Sequence, residues 1–298
     1  MEQKDSGRAM GMLISSMVIF GTIGLFRRLI PLPSGVIAMS RGLIGAALLW
    51  VLLRLRGGRL KLKSMRGQGL WLLLSGALLG VNWILLFEAY RYTSVAVATL
   101  CYYMAPILVI LVSPVLFHER ITRRKWICTA FAVAGMLLVS GVLNGDAAGD
   151  YRGVLFGLGA AALYACVMLL NKRITGVDGL QKTIVQLFTA GVVLIPYVLL
   201  TEGVAAPDFT PGALGMLLVV GAVHTALTYG LYFGSIEDLR MQTVALLGYL
   251  DPVVAVLTSA LLLREPMSTL QIIGTVLVLG AAVLSALSEN TERRKQAC

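Results

Sequence analysis

Ten apolar runs divide this chain, and they restrict it to folds that a lipid bilayer can accommodate. A helix needs about 20 mostly apolar residues to cross the hydrocarbon core. Hydrophobic residues make up 58% of the sequence and charged residues only 13%, whereas soluble domains are about half apolar and about a quarter charged. The sequence predicts an all-α polytopic membrane protein with ten transmembrane helices. They are expected at approximately 9–27, 34–53, 69–88, 94–116, 125–143, 153–171, 181–200, 212–234, 241–263 and 269–287.

Basic residues alternate between the segments that join these runs. With the amino terminus in the cytoplasm, 19 Lys and Arg residues fall in cytoplasmic segments and five in outer segments, while Arg41 lies within a span. Because positive residues collect on the cytoplasmic side, we expect a multi-pass protein of the cell (inner) membrane with both termini cytoplasmic. The net charge of +10 then reflects topology, and no compact basic face is left to bind nucleic acid.

The cysteines show neither a CxxC pair nor a metal-ligand spacing. They are Cys101, Cys128, Cys166 and Cys298. The sequence therefore predicts no disulfide, metal or cofactor. The first apolar run is too long for a cleavable signal and leads directly into a second span, so we expect it to be retained. A monomer and a homodimer both remain open.

Two stretches of the chain repeat one pattern, YMAPILVILVSPVLFHE at 103–119 and YLDPVVAVLTSALLLRE at 249–265. A shift of 146 residues places Tyr103 on Tyr249, Pro106 on Pro252, Ser113 on Ser259, Glu119 on Glu265 and Thr129 on Thr275, and a shift of 145 places Arg41 on Gln186. We predict two homologous five-helix halves, 1–143 and 150–287, followed by a cytoplasmic tail, 288–298. Because five is odd, the second half is inverted in the membrane, as in many secondary transporters.

The prolines of this repeat predict interrupted helices. Proline has no amide hydrogen, and its ring crowds the carbonyl four residues earlier, so the carbonyls of Tyr102 and Gly248 lose their helical partners. In a bilayer, such backbone must face protein or a water-filled cavity. We therefore predict a kink beside a cavity at Pro106 and at Pro252. A kink that only packs between helices is the alternative.

On these features the chain resembles the drug/metabolite transporter superfamily, in its ten-helix EamA-type branch. The resemblance covers nearly the whole chain. It rests on ten short spans in two halves, on the Pro-to-Glu pattern that closes the fourth and ninth spans, and on RGLIGAALL from Arg41. It implies secondary transport of small solutes, often export of amino acids, metabolites or drugs, without an ATP site. No GxxxxGK[ST] loop occurs. The family commonly has Gly before the Glu, where this chain has His118 and Arg264.

Polar residues within the spans are costly there and usually face the bundle interior. Arg41 is expected to attract anions or pair inside the bundle, with snorkelling to the surface as the alternative. Asp251, the only carboxylate deep in a span, is the candidate proton or cation carrier, and His224 is the second candidate; either could instead be a hydrogen-bonded helix contact. The candidate cavity residues are Arg41, Asn82, Tyr103, Pro106, Tyr164, Gln186, His224, Thr228, Tyr232, Tyr249, Asp251 and Pro252.

Two glutamates close the repeated stretches. Glu119 lies beside Arg120, and Glu265 lies beside Arg264. We expect each to form a structural pair at a helix end, and a role as a gate is the alternative.

The sequence as a whole predicts a secondary transporter of small metabolites or drugs. We expect an exporter of amino acids or related compounds that works by alternating access, with proton coupling as a hypothesis. A facilitator or an importer of the same fold is the alternative. A membrane enzyme is disfavoured because no metal cluster, nucleophile–base pair or paired carboxylates lie in the spans. A receptor is disfavoured because the cytoplasmic segments are too short for a partner domain. The expected partners are a small-molecule substrate and the lipid bilayer.

Overall fold

The computed structural model describes residues 2–61, 65–117, 123–139, 151–202, 209–236, 239 and 241–297. These residues form α-helices and no strand. The helices are α1 (Glu2–Gly21), α2 (Ile23–Leu29), α3 (Ser34–Leu55), α4 (Gly69–Tyr92), α5 (Val95–Tyr102), α6 (Ala105–Phe117), α7 (Arg123–Val139), α8 (Tyr151–Arg173), α9 (Gly179–Tyr197), α10 (Pro211–Gly221), α11 (Thr228–Ile236), α12 (Met241–Gly248), α13 (Leu250–Leu257) and α14 (Thr269–Ala297). Short π-helical stretches occur at Val198–Glu202, Ala222–Leu227 and Thr258–Leu262.

These helices build ten spans. Seven segments are long and apolar enough to cross a bilayer, and three shorter apolar segments complete the set: Gly7–Leu29, Ser34–Leu55, Gly69–Tyr92, Val95–Val112, Trp126–Val139, Tyr151–Arg173, Gly179–Thr201, Pro211–Ser235, Leu250–Leu262 and Thr269–Ala281. We number the spans one to ten in this order and count α12 with span nine. Large apolar side chains such as Leu200 and Leu70 are exposed on their outer faces, where lipid would cover them. The fold is that of an all-α polytopic membrane protein.

Polar caps fix where three spans begin. Ser94 caps α5 by accepting a hydrogen bond from the amide of Val97. Asp178 caps α9 in the same way, and Thr210 caps α10, whose first residue is a proline. Each cap satisfies an amide that has no partner within its own helix. At the other end of the chain, α14 continues as helix beyond the apolar segment of span ten and includes residues 288–297, which the sequence analysis assigned to a tail.

The packing of the spans follows a two-fold pattern. Span three packs on spans six and seven, just as span eight packs on spans one and two. Span four packs on span six as span nine packs on span one, while spans two and seven, four and nine, and five and ten pack on each other. Exchanging the two halves therefore reproduces these contacts.

Equivalent spans cross in opposite directions at glycines. A Cβ atom on Gly42 would lie 2.9 Å from the backbone nitrogen of Gly191, and one on Gly45, further along α3, would approach Leu187, which is earlier in α9. The end of α3 lies beside the beginning of α9, where both line one cavity, so the two helices are antiparallel. Spans five and ten also cross at glycines. A Cβ atom on Gly135 would lie 2.8 Å from the carbonyl oxygen of Gly274, and one on Gly274 would lie 2.5 Å from the carbonyl oxygen of Gly135. Antiparallel crossing of equivalent helices is the arrangement that an inverted repeat requires.

The interruptions predicted from the prolines are confirmed. α5 ends at Tyr102 and α6 begins at Ala105, immediately before Pro106. α12 ends at Gly248 and α13 begins at Leu250, two residues before Pro252. Both helices of the repeated pair are therefore broken at the same place, and not merely bent.

Replacing Gly274 with leucine should destabilise the fold, because the new side chain would meet the backbone of α7, which cannot move aside as a side chain can. Overpacking of this kind costs about 1–3 kcal/mol. The control is Gly280→Leu on the same helix, since a Cβ atom there has no neighbour within 4 Å. Thermal unfolding of the purified proteins should show a lower midpoint for Gly274→Leu only. Equal midpoints for both variants would contradict the close crossing of spans five and ten.

Candidate functional site

A hydrogen bond joins the two broken spans at their breaks. The hydroxyl of Tyr103, just after α5, donates to Oδ2 of Asp251 at 2.6 Å. Asp251 lies in the first turn of α13, where a negative charge is favoured by the helix dipole. Its equivalent in the first half is Ala105, so the arrangement is not duplicated. The symmetric frame thus holds one asymmetric carboxylate.

Tyrosines surround this pair. The ring of Tyr102 lies 5.1 Å from that of Tyr164 and 6.2 Å from that of Tyr103, measured between centroids. Tyr102, Tyr164 and Tyr229 lie near enough to Asp251 for its charge to act on their hydroxyl groups. The hydroxyl groups come from spans four, six and eight, so three helices of the two halves contribute to one aromatic enclosure.

Arg41 is directed into the bundle. Only 5% of the residue is exposed. Its Nε donates to Oγ1 of Thr225 at 3.0 Å, and its guanidinium carbon lies 4.3 Å from the centroid of the Trp83 ring, a distance suited to a cation–π interaction. Arg41 also interacts electrostatically with Asp251, although no direct ion pair joins these two described side chains. A buried cation and a carboxylate therefore lie within electrostatic range of each other without direct contact.

Gln186 makes the equivalent contact in the second half. Its Nε2 donates to Oγ of Ser75 and to Oδ1 of Asn171, each at 2.7 Å. Arg41 on span two bonds a hydroxyl on span eight, and Gln186 on span seven bonds a hydroxyl on span three. The two hydrogen bonds therefore join equivalent pairs of spans, although Thr225 and Ser75 are not equivalent positions. Arg41, in the first half, carries a charge, whereas Gln186, in the second half, does not.

His224 lies where two irregular helices meet. It belongs to the π-helical stretch of span eight, and its Nε2 lies 3.0 Å from Oγ1 of Thr22, at the junction of α1 and α2. Its ring centroid is 4.4 Å from that of Phe26. One turn later, Thr228 donates to the carbonyl of Val223 at 2.6 Å. π-helical insertions frequently occur at functional sites.

One buried polar atom of the candidate residues, Oδ1 of Asn82, lacks a hydrogen-bond partner in the described structure. Nδ2 of the same side chain donates to the carbonyl of Ala160. Leaving such an atom unpaired costs about 1–3 kcal/mol. Water or a bound solute would satisfy Oδ1 of Asn82.

The other predicted residues are more scattered. Tyr232 packs beside Leu13, Met17 and Val244, in a separate apolar cluster. Pro106 and Pro252 lie at the breaks, and Tyr249 is the residue before α13. Sequence reasoning missed the contributions of Thr22, Phe26, Tyr102, Thr225 and Tyr229. Three of these, Tyr102, Thr225 and Tyr229, directly precede or follow a predicted residue in the sequence. Including the residue on either side of each predicted position would have found them.

Glu265 does not form the predicted pair with Arg264. Its Oε1 accepts a hydrogen bond from Arg28 at 2.8 Å, and its Oε2 accepts the amide of Val95 at 2.8 Å. The backbone of Arg264 has a φ of 53°, a conformation that non-glycine residues rarely adopt. This turn directs the side chain of Glu265 inward, away from Arg264.

We call the contact of Arg28, Glu265 and Val95 the latch. Arg28 also donates to the carbonyl of Thr93 at 2.8 Å, and Ser259 donates to the carboxylate at 2.5 Å. The latch therefore holds the ends of spans one and nine to the beginning of span four. Glu119, its counterpart by sequence, lies outside the described residues.

A cavity of about 350 Å³ lies at the opposite end of the bundle. It is bounded by the end of α3, the beginning of α9 and α11, and its lining includes Leu52, Arg56, Asp178 and Phe233. None of the predicted site residues lines it. The latch and the cavity thus occupy the two ends of the bundle, with the Arg41–Asp251 region between them.

Comparison with known proteins agrees with this architecture. Residues 7–141 and 151–287 match the model of the EamA-like transporter family. An uncharacterised transporter of Bacillus subtilis, YxxF, is 28% identical over 285 residues, which cover 95% of this chain and 90% of the relative. Protein PecM of Dickeya dadantii is 30% identical over 234 residues, covering 76% and 77%.

Two further similarities bear on fold and activity. A probable amino-acid metabolite efflux pump of Salmonella typhimurium is 27% identical over 190 residues, covering 59% of this chain and 62% of the relative. A solved crystal structure has the same fold, with a TM-score of 0.65 at 20% identity, over 94% of this chain and 97% of the other. With both parts of the chain matched by one family model, the protein belongs to the EamA-like transporter family and is a membrane transporter.

Proposed function

We propose that this transporter exports small metabolites, amino acids or related compounds, from the cytoplasm by alternating access, and that it is driven by protons through Asp251. The observation that carries this proposal is the Tyr103–Asp251 hydrogen bond between the two broken spans. An ionisable group within a membrane is costly and usually functional. In the described part of the chain, Asp251 is the one carboxylate in the middle of a span.

Protonation of Asp251 would change the link between the halves. As a carboxylate, Asp251 accepts the Tyr103 hydroxyl and is attracted by Arg41. As a neutral acid it loses much of both interactions, because hydrogen bonds to an ionised acceptor are about twice as strong as neutral ones. Gain or loss of one proton therefore alters the contact that holds span four against span nine.

The charges of the site favour a small solute that carries both signs. Arg41 and Asp251 lie in one enclosure without pairing directly, so an ammonium and a carboxylate on one solute could engage both of them. Tyr102 and Tyr164 would contact the apolar part of such a solute. The printed name of the Salmonella relative, an amino-acid metabolite efflux pump, supports the same class of substrate.

The inverted halves support alternating access. Each half carries one broken span that is followed in the sequence by a glutamate, and in the second half Glu265 ties its end of the bundle together through the latch. Exchanging the conformations of the halves would transfer closure to the other end. Arg54, Arg56 and Lys61 lie near the cavity end, which the positive-inside rule assigns to the cytoplasm. An exporter would take up its solute there.

Asp251→Asn should abolish accumulation of solute under an imposed pH gradient, because asparagine keeps the shape of the side chain but cannot carry a proton. The protein is reconstituted into vesicles and tested with amino acids, aromatic cations, nucleosides and drugs. Binding should partly survive in Asp251→Asn, and His224→Gln should mainly shift the pH dependence.

The matched control for that experiment is Glu88→Gln. Glu88 lies near the end of span three and pairs with Arg91 at 3.1 Å, so its loss should leave accumulation unchanged. Wild-type accumulation by Asp251→Asn would make Asp251 structural. A wild-type protein that equilibrates a solute but ignores the gradient would be a facilitator, which contradicts the coupling proposed here.

Alanine at Pro106 or Pro252 should slow transport while leaving membrane insertion largely intact. Alanine restores an amide hydrogen that can bond the carbonyl of Tyr102 or Gly248, and this favours a continuous, stiffer helix. The control is Pro196→Ala, since Pro196 lies within α9 but exposed and away from the breaks. Turnover in vesicles, normalised to inserted protein, is the measurement. Wild-type turnover in both break variants would mean that the breaks only serve packing.

A further inference from the structure

We infer that the cavity bounded by α3, α9 and α11 is the entrance through which a solute reaches the Arg41–Asp251 region, and that Phe233 and Tyr229 close this route. This inference rests on the proposed function. It adds a site that lies outside the set of residues predicted from the sequence, together with the two rings that would control passage from it.

Glycines create the space. Gly230 and Gly234 lie one turn apart on α11, and both line the cavity. A Cβ atom on Gly230 would lie 3.4 Å from the side chain of Leu52, whereas one on Gly179 would lie 2.8 Å from the ring of Phe233. The absence of a side chain at Gly179 therefore allows the Phe233 ring to lie against the beginning of α9, where it forms part of the cavity wall.

Aromatic rings separate the cavity from the buried charges. Phe233 is stacked on Tyr229, with ring centroids 6.2 Å apart and an interplanar angle of 19°. Tyr229 lies one turn deeper in the bundle, packs edge-on against Phe20 at 5.3 Å, and interacts electrostatically with Arg41 and Asp251. Rotation of the Phe233 and Tyr229 side chains would therefore connect the cavity with the region between the two charges.

At the opposite end of the bundle, described segments of three spans are held together. The latch ties the ends of spans one and nine to the amide of Val95 and to the carbonyl of Thr93. About 33 Å of helix separates the two ends of α3, at 1.5 Å per residue. The latch at one end and the cavity at the other therefore favour entry of solute from the cavity end.

The cavity wall determines which solutes can enter. Arg56 and Asp178 place one charge of each sign on the wall, and Leu52, Leu180 and Phe233 supply apolar surface. A cleft lined by charges of one sign would raise the local concentration of oppositely charged ions by about tenfold or more. The mixed wall instead suits small amphiphilic solutes, whether cationic, anionic or carrying both charges.

Thiol labelling of the full chain in vesicles tests this route. In a background without the four native cysteines, Gly230→Cys reports on the cavity and Tyr103→Cys on the central region. Leu218→Cys, on the exposed face of the same span, is the matched control. The probes are two membrane-impermeant methanethiosulfonates, one carrying a trimethylammonium group and one a sulfonate, applied from either face. Size-exclusion chromatography verifies that each variant is folded.

Gly230→Cys should react from one face only, and at least about tenfold faster than Leu218→Cys, because apolar surroundings suppress the reactive thiolate. The two probes should react at similar rates. Adding Phe233→Ala should accelerate labelling of Tyr103→Cys from that face and leave labelling of Gly230→Cys unchanged.

Three results would overturn the inference. Gly230→Cys labelling no faster than that of Leu218→Cys would show that water does not reach the cavity. A strong preference for one probe would exclude an entrance that tolerates both charges. Unchanged labelling of Tyr103→Cys in the Phe233→Ala background would mean that the route lies elsewhere. Because labelling needs no transport, a failure of the proposed export would appear only in the flux assays.

Discussion

A helix that is broken within a membrane must find other partners for its backbone, and the rest of this structure depends on how that requirement is met. An amide or carbonyl without a partner in hydrocarbon costs several kcal/mol. The chain breaks spans four and nine at Tyr102–Ala105 and at Gly248–Leu250, and it packs the two breaks against each other. The Tyr103–Asp251 bond lies at this meeting point. The site is therefore located where the backbone cannot face lipid.

The two halves share a frame, but their chemistry differs. Arg41 and Gln186 occupy equivalent positions and bond hydroxyl groups on equivalent spans, but only Arg41 is charged. Span one is interrupted at Thr22 and span eight is π-helical around His224, whereas their equivalents, α8 and α4, are continuous helices. In the proposed mechanism, the symmetric frame would allow closure at either end, and Asp251, which has no counterpart in the first half, would carry the charge.

The sequence predicts the positions of the spans and of their breaks better than it predicts the contacts between side chains. Hydropathy located the spans and proline located the breaks, because both effects act locally along the chain. The sequence predicts that Glu265 pairs with its neighbour Arg264, but Glu265 binds Arg28. This ion pair depends on the three-dimensional packing of spans one and nine, which the sequence does not show. Tyr103 and Asp251 were each expected at the site, yet nothing in their spacing shows that they bond. The π-helical stretch around His224 has no sequence signal, because its residues would suit a regular helix equally well.

The most direct test of reciprocal opening is a pair of distance measurements by electron paramagnetic resonance. One pair of spin labels, at positions 29 and 262, lies on the segments that the latch joins, and the other pair, at positions 56 and 178, spans the cavity. Glu265→Gln removes the charge that binds Arg28. Alternating access predicts that this substitution lengthens the distance between 29 and 262 and shortens the distance between 56 and 178. If only the latch end loosened while the cavity kept its width, the two ends would not be coupled, and the mechanism would be contradicted.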